Sequence, residues 1–217
     1  MEIESIRLEN TLPRVFEHES IPASEIWRRD VTLQRGGRYM IEAASGTGKS
    51  SLCAYLYGLR RDYLGRIIFN SDTDARTLVP DQWQALRRTS LALLPQELAL
   101  FPELTALENI RLKNSLTGAM SEADIRRALE ELGIAHRADH PVERLSIGQQ
   151  QRVAIVRAVC QPFTFIFLDE PVSHLDEANN RAAAALIERQ AERYGAAVVT
   201  TSVGNPLLLS GYQTLRL

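Results

Sequence analysis

The sequence predicts an α/β protein with a mainly parallel sheet and a helical lobe inserted in its middle. Three observations predict it. In the last third, apolar runs of about six residues alternate with helices, the pattern of a parallel sheet buried on both faces. A short apolar strand, "RYMIEA", runs straight into the small-residue loop "AASGTGKSS", and a helix follows. From about Pro80 to Gly148 the strand character gives way to helices.

Taken in order, Ile3, Ile6 and Leu8 mark a first strand, and Val15 with Phe16 suggests another. "EIWRRDVTL" is a further strand candidate, with Ile26, then Val31 and Leu33 alternating. Gly36-Gly37 is a turn before "RYMIEA". A helix is expected to start at Gly48 or Lys49 and run through "SSLCAYLYGL", with "GRIIFN" as the next strand. "PDQWQALRR" is helical and "SLALLPQ" strand-like. Thr105 and Glu108 form a capping box ahead of "ENIRLKNSL". Ser121 opens a helix with Ile125, Leu129 and Leu132 on one face and Gly133 as its stop. The end reads helix, strand, helix, strand, strand: "SIGQQQRVAIVRAVC", "FTFIFL", "EANNRAAAALIERQAERYG", "AAVVTTS" and "YQTLRL". The reading is one domain over 1–217, with 1–80 and 151–217 as core and β lobe and about 81–150 as the helical subdomain.

Composition narrows the function classes. Net charge is −2 and pI about 6.1, so no global basic field draws nucleic acid, and none is expected as a partner. Cys53 and Cys160 lie in apolar helical stretches and are expected to be two buried free thiols rather than a disulfide. No apolar run approaches the roughly 18 residues of a membrane span. The N-terminus "MEIESIRLEN" is acidic and alternating, unlike a signal peptide. A cytoplasmic protein is expected, with any membrane role reached through a partner.

The chain has only two lysines, Lys49 and Lys113, among many arginines. One of them sits in the small-residue loop. Small side chains let the amides of Ser45, Gly46, Thr47, Gly48, Lys49, Ser50 and Ser51 turn inward around a phosphate, at the positive end of a helix. The compact Lys49 ammonium suits the β- and γ-phosphates of a nucleotide better than a planar guanidinium, and the Ser50 hydroxyl suits Mg²⁺. Ala43 stands where G-x-x-x-x-G-K-[ST] begins with glycine. Alanine serves there if smallness suffices, and is strained if the position needs a positive φ. The competing reading is an ordinary Ser/Gly turn with a solvated lysine.

"FTFIFLDEPVSHLD" ends an apolar strand in Asp169 and Glu170, at the end of the sheet where open α/β folds place ligands. Asp169 suits Mg²⁺, directly or through water, and Glu170 suits orienting an attacking water. A plain polar cap on the next helix is the alternative. "LSIGQQQR" carries a capping box, Ser146 and Gln149, which needs no ligand. The same geometry also makes a second anion site, one that a single chain cannot easily fold onto its own loop.

Together these elements resemble the ATP-binding-cassette (ABC) ATPases over nearly the whole chain. "AASGTGKSS" resembles their Walker A loop, and "LLPQ" supplies Gln96 as the Q-loop residue. "LSIGQQQRVAIVRAV" resembles the signature motif, "FIFLDEP" the Walker B strand with its glutamate, and "SHLD" the D-loop. "LFPELTALENI" resembles the segment after the Q-loop in the small ATPases of lipoprotein-release, macrolide-export and cell-division complexes.

The resemblance implies a P-loop NTPase (RecA-like) core, an N-terminal antiparallel β lobe and an inserted helical subdomain. It implies ATP and Mg²⁺ as ligands, with Ser50, Gln96 and Asp169 at the metal and Glu170 and Gln96 in catalysis. Two cassettes, as a homodimer or a heterodimer, would sandwich two ATPs, Ser146 and Gly148 of one facing the nucleotide on Lys49 of the other. An integral-membrane permease would dock near the helical lobe and hold the subunit on the inner face of the membrane. Phe16 is a candidate to stack on adenine, with core packing as its alternative, and Trp27 and Trp83 read as packing residues.

Two departures qualify this. Ile147 replaces a glycine of the signature motif, and the strand that should end in a switch histidine ends in Thr200, Thr201 and Ser202. His174 lies in the D-loop instead. Slow or partner-dependent hydrolysis is therefore expected of a transporter ATPase. The alternative is a catalytically weak subunit in which ATP-driven closure, not turnover, matters.

Overall fold

The computed structural model describes residues 2–19 and 23–217. In chain order the elements begin with β1 (Ser5–Pro13), β2 (Asp30–Gln34), β3 (Arg38–Glu42) and α1 (Lys49–Leu56). Next come β4 (Tyr63–Phe69), β5 (Thr73–Asp74), α2 (Pro80–Thr89) and β6 (Leu91–Leu94). The helices α3 (Ala106–Asn114), α4 (Glu122–Glu131) and α5 (Ile147–Val159) follow. The chain closes with β7 (Phe165–Asp169), α6 (Glu177–Tyr194), β8 (Ala197–Ser202) and β9 (Gln213–Arg216).

Two sheets form. The first runs β2-β1-β4-β5 and is antiparallel throughout. The second runs β6-β7-β8-β3-β9 and is parallel throughout. Alternation along the central strands explains its two cores. Phe165 and Phe167 of β7 and Val199 of β8 face α1 and the antiparallel sheet. Ile166, Leu168 and Val198 face α5, α6 and the helical lobe. A strand covered on both sides has no polar face, hence the unbroken apolar run "FIFL".

The lobe helices start where their caps demand. Thr105 accepts from the Glu108 amide, and Ser121 from that of Asp124, with each acidic side chain reaching back to the cap. Gly133 follows α4 at φ 66°, a left-handed stop.

Three expectations change. Val15 and Phe16 are not a strand but a single 3-10 turn, Arg14–Phe16. Pro13, opposite Tyr63, is the last paired residue of β1, and the chain turns there. Ile26 and Trp27 lie outside β2, because the Ser24 hydroxyl accepts from both their amides at 3.0 and 2.8 Å and ties them into a turn. Leu91–Leu94, inside the stretch read as helical subdomain, form the edge strand of the parallel sheet. Trp83 and Leu86 of α2 also pack in the core beneath the antiparallel sheet, so the purely helical part begins after β6.

Register decides where chemistry gathers. Glu42 of β3 lies opposite Ser202 of β8, and Thr201 opposite Asp169 of β7. Leu94 of β6 lies opposite Leu168. The residues that leave β3, β6 and β7, namely the Ala43–Gly48 loop, Gln96 and Glu170, therefore emerge at the same, C-terminal, end of the parallel strands.

Candidate functional site

The loop after β3 curls on itself before α1 begins. Ala43 does not have a positive φ, so alanine carries no backbone strain there. Gly48 does, at 97°, and a Cβ on it would come within 3.2 Å of both Phe16 and Trp27. The left-handed conformation calls for glycine at this position, and a Cβ would also crowd the two rings. The Trp27 indole N–H donates to the Thr47 carbonyl at 2.9 Å, and the Thr47 hydroxyl donates to the Ala44 carbonyl at 2.9 Å. Trp27 was expected only to pack, and it also clamps the loop from below.

Gly48 caps α1 without a side chain, and the first turn carries no acid. The first amides and the positive end of the helix dipole are left for an external anion.

A cleft of about 350 Å³ opens over this helix end. Ser45, Gly46, Gly48, Lys49, Ser50 and Ser51 form one wall. Gln96, Glu170 and Phe16 complete it, so most of the residues singled out by motif meet in one place. Thr47 is not on the wall. Lys49 is only 6% exposed; its ammonium donates to the Ala44 carbonyl at 3.1 Å and faces the Glu170 carboxylate at 3.6 Å. The Ser50 hydroxyl lies 3.4 Å from Gln96 Oε1. A hydroxyl and an amide oxygen so close are hard donors of the kind Mg²⁺ takes. No cluster of three or more His, Cys, Asp or Glu able to hold a metal occurs among the described residues. A hydroxyl and an amide oxygen beside an anion loop match the usual way Mg²⁺ binds, through a few protein oxygens together with phosphate oxygens.

Asp169 stands behind the wall and is 2% exposed. Its carboxylate accepts from the Thr201 hydroxyl at 2.7 Å, and the same hydroxyl accepts from the Glu170 amide at 3.1 Å. Glu170 has φ 50°, unusual for a residue with a side chain. Thr200 and Ser202, on either side of Thr201, bury hydroxyl oxygens that have no hydrogen-bond partner among the described residues.

Ser146 and Gly148 do not line this cleft. They sit at the start of α5, where the Ser146 hydroxyl accepts from the Gln149 amide and the Gln149 side chain accepts from the Ser146 amide at 3.0 Å. A Cβ on Gly148 would lie 2.9 Å from the backbone oxygen of His174. Gln151, one turn on, makes this approach firm. Its amide donates to the Glu170 carbonyl at 3.1 Å and to the Ser173 hydroxyl at 3.2 Å, and accepts from the His174 amide at 3.0 Å. Gln151 went unnoticed in the sequence because it is one of three consecutive glutamines, and only burial tells it apart.

The two cysteines are free and buried, as expected. Burial pushes both thiols up, Cys160 to about 12, and the nearby Asp169 charge adds to the effect at Cys53. Such buried neutral thiols are inert.

Comparison with known proteins shows what the whole chain is similar to. A family model described as "ABC transporter" matches residues 28–173. The lipoprotein-releasing system ATP-binding protein LolD of Shewanella denitrificans is 30% identical over 196 residues, 89% of this chain and 84% of that protein. The macrolide export ATP-binding/permease protein MacB of Rhodospirillum rubrum is 34% identical over 82% of this chain but only 28% of its own length. Among solved structures, a dimeric ATP-binding cassette in a post-hydrolysis state with ADP and Pi superimposes with a TM-score of 0.72 and 28% identity, covering 91% of this chain and 87% of the other.

Proposed function

Because the chain belongs to the ABC transporter family, we propose that it spends ATP in the cleft between the Ser45–Ser51 loop, Gln96 and Glu170 to drive a membrane transporter. It is an ATP-binding and ATP-hydrolysing subunit, similar to cassettes of the LolD and MacB type. One observation carries the assignment of the site. A buried lysine, an uncapped helix N-terminus and a carboxylate converge on one cleft at the ends of parallel strands.

In this reading the loop amides and α1 hold the phosphates, and Lys49 bridges the β- and γ-oxygens. Glu170 accepts a hydrogen bond from water and polarises it. As water attacks the γ-phosphorus, the bond to the β-phosphate oxygen breaks and its electron pair leaves with ADP. Ser50, Gln96 and Asp169 would hold Mg²⁺, which neutralises phosphate charge when bound. Phe16, which lines the cleft beside Gly48, would stack on the base.

Ser146 and Gly148 lie off the chain's own cleft, which supports a second cassette that brings its α5 to this one. The partner in the membrane is a permease. A groove of about 420 Å³ between the core and the helical lobe supports it, lined by Leu59, Phe101, Leu112 and Leu116, each about half exposed. It lies against Pro95 and Glu97, on either side of Gln96. No helix among the described residues is long and apolar enough to cross a membrane, so the chain would reach the inner face of the membrane through that permease.

Lys49→Ala tests the site. Affinity for a fluorescent ATP analogue is expected to fall below detection, and unchanged affinity would contradict the assignment. Thr201, bonded to Asp169, and Ser202, with no hydrogen-bond partner among the described residues, stand where the resemblance implies a histidine, and they favour a second reading in which turnover is slow and closure is the output. Glu170→Gln separates the two. Loss of transport with a trapped dimer supports turnover, and parental behaviour supports closure alone.

A further inference from the structure

Thr201 was noticed in the sequence only as a stand-in for a histidine, and its contacts say something else. A threonine hydroxyl has one proton to give and two lone pairs to receive. This one gives its proton to Asp169 Oδ1 at 2.7 Å and receives the Glu170 amide at 3.1 Å. Thr201 is 1% exposed and Asp169 2%, so neither group can turn to water instead. The parallel register sets Thr201 beside Asp169, which is why so short a side chain reaches both partners. Glu170 holds φ 50°, where a side chain is disfavoured and the backbone must be held. Its amide is held by Thr201, and its carbonyl by Gln151 at 3.1 Å. Ser202, one residue on, takes no part, since its hydroxyl has no hydrogen-bond partner among the described residues.

We infer that Thr201 is a positioning residue for the hydrolytic centre: its hydroxyl orients the Asp169 carboxylate toward the cation and fixes the left-handed backbone that turns the Glu170 carboxylate to face Lys49. This rests on the reading of the cleft as a nucleotide site. It assigns to the end of β8 a role in holding the acids, not in touching the nucleotide.

The test uses the full chain with Thr201→Val, which keeps the shape and deletes both hydrogen bonds, and Thr201→Ser, which keeps the hydroxyl. Affinity for a fluorescent ATP analogue is measured in EDTA and across a Mg²⁺ titration. Mn²⁺ binding in the presence of ATP is followed by electron paramagnetic resonance. For Thr201→Val, affinity in EDTA is expected to stay within about threefold, while half-saturating Mg²⁺ and the Mn²⁺ dissociation constant rise about ten- to a hundredfold. kcat is expected to fall by a similar factor with KM little changed. Thr201→Ser should return every readout to within about threefold of the parent. Parental metal dependence in Thr201→Val overturns the inference, as does a Thr201→Ser variant as impaired as the valine, since the methyl group would then be what matters. If the valine variant does not fold, Thr201→Cys replaces it, its weak thiol donor predicting an intermediate loss of metal affinity and an unchanged affinity refuting the role. Lys49→Ala separates the two claims. Loss of nucleotide there alongside an unaffected Thr201→Val sinks this inference and leaves the cleft reading standing.

Discussion

Gly148→Ala sets two physical effects against each other. Helix propensity says the change helps, because alanine is better than glycine inside a helix by up to about 1 kcal/mol. The gain is smaller here, since Gly148 is the second residue of α5, and its φ is not positive, so no backbone strain enters. Sterics say the change harms. The new Cβ would lie 2.9 Å from the His174 carbonyl oxygen, which is backbone and cannot swing aside like a side-chain end. His174 is also tethered, its amide donating to Gln151 at 3.0 Å. Relief means moving the loop, at about 1–3 kcal/mol for overpacking, plus about 1 kcal/mol if that hydrogen bond is lost. The net expectation is a destabilisation of about 1–3 kcal/mol, because the steric terms outweigh the propensity gain. For a chain of this size that lowers Tm by about 2–12 °C. Thermal unfolding followed by circular dichroism reads it directly. Ile147→Ala is the control; its side chain is 50% exposed and the change should stay within about 0.5 kcal/mol. A Gly148→Ala variant that melts at or above the parent would show that the loop carrying His174 is not held against α5 as described.

Other expectations follow from the same contacts. Trp27→Phe removes the indole donor to the Thr47 carbonyl while keeping most of the packing, and ATP-analogue affinity should weaken about threefold to tenfold; an unchanged affinity would mean the loop does not need this clamp. Phe101→Glu puts a charge on the apolar groove between core and lobe and should reduce co-purification with the membrane fraction without altering nucleotide affinity; equal recovery from membranes would move the docking surface elsewhere. For the thiols the sign is set by burial. The folded state keeps Cys160 neutral up to about 12, whereas the unfolded chain ionises near the ordinary thiol value of about 8.5. Above that value the unfolded chain binds fewer protons, so stability falls as pH rises through the window from about 8.5 to 12. Urea midpoints compared at about pH 7.5 and about pH 9.5 should drop less in Cys160→Ala than in the parent, and equal drops would count against a buried neutral thiol.

The parts of the site that could be read from sequence are those built from consecutive residues. A phosphate loop is a local object: small side chains, a helix start and one lysine say what they do without knowing what lies beside them. The same holds for the capping boxes at Thr105 and Ser146, where cap and partner are three residues apart. The central strands were legible for a different reason, since burial on both faces leaves an apolar run that little else explains. Alternation misled at Val15-Phe16 and at Ile26, because a proline and a serine-closed turn redirect the chain without disturbing the apolar pattern.

What stayed hidden depends on partners far away in sequence. Trp27 reaches Thr47 across 20 residues, Gln151 reaches Glu170 across 19, and Thr201 reaches Asp169 across 32. In sequence each is an ordinary tryptophan, glutamine or threonine, whose type permits many roles and requires none. Register makes the difference. Only when β7 and β8 lie side by side does Thr201 fall next to Asp169, and only when α5 packs over the end of β7 does Gln151 meet the Glu170 carbonyl. The groups assigned to ATP are thus displayed by local sequence, and the groups that hold them are supplied by topology. That is why the threonine-rich end of β8 could be seen in the string of letters, while the contacts that Thr201 makes with Asp169 and Glu170 could not.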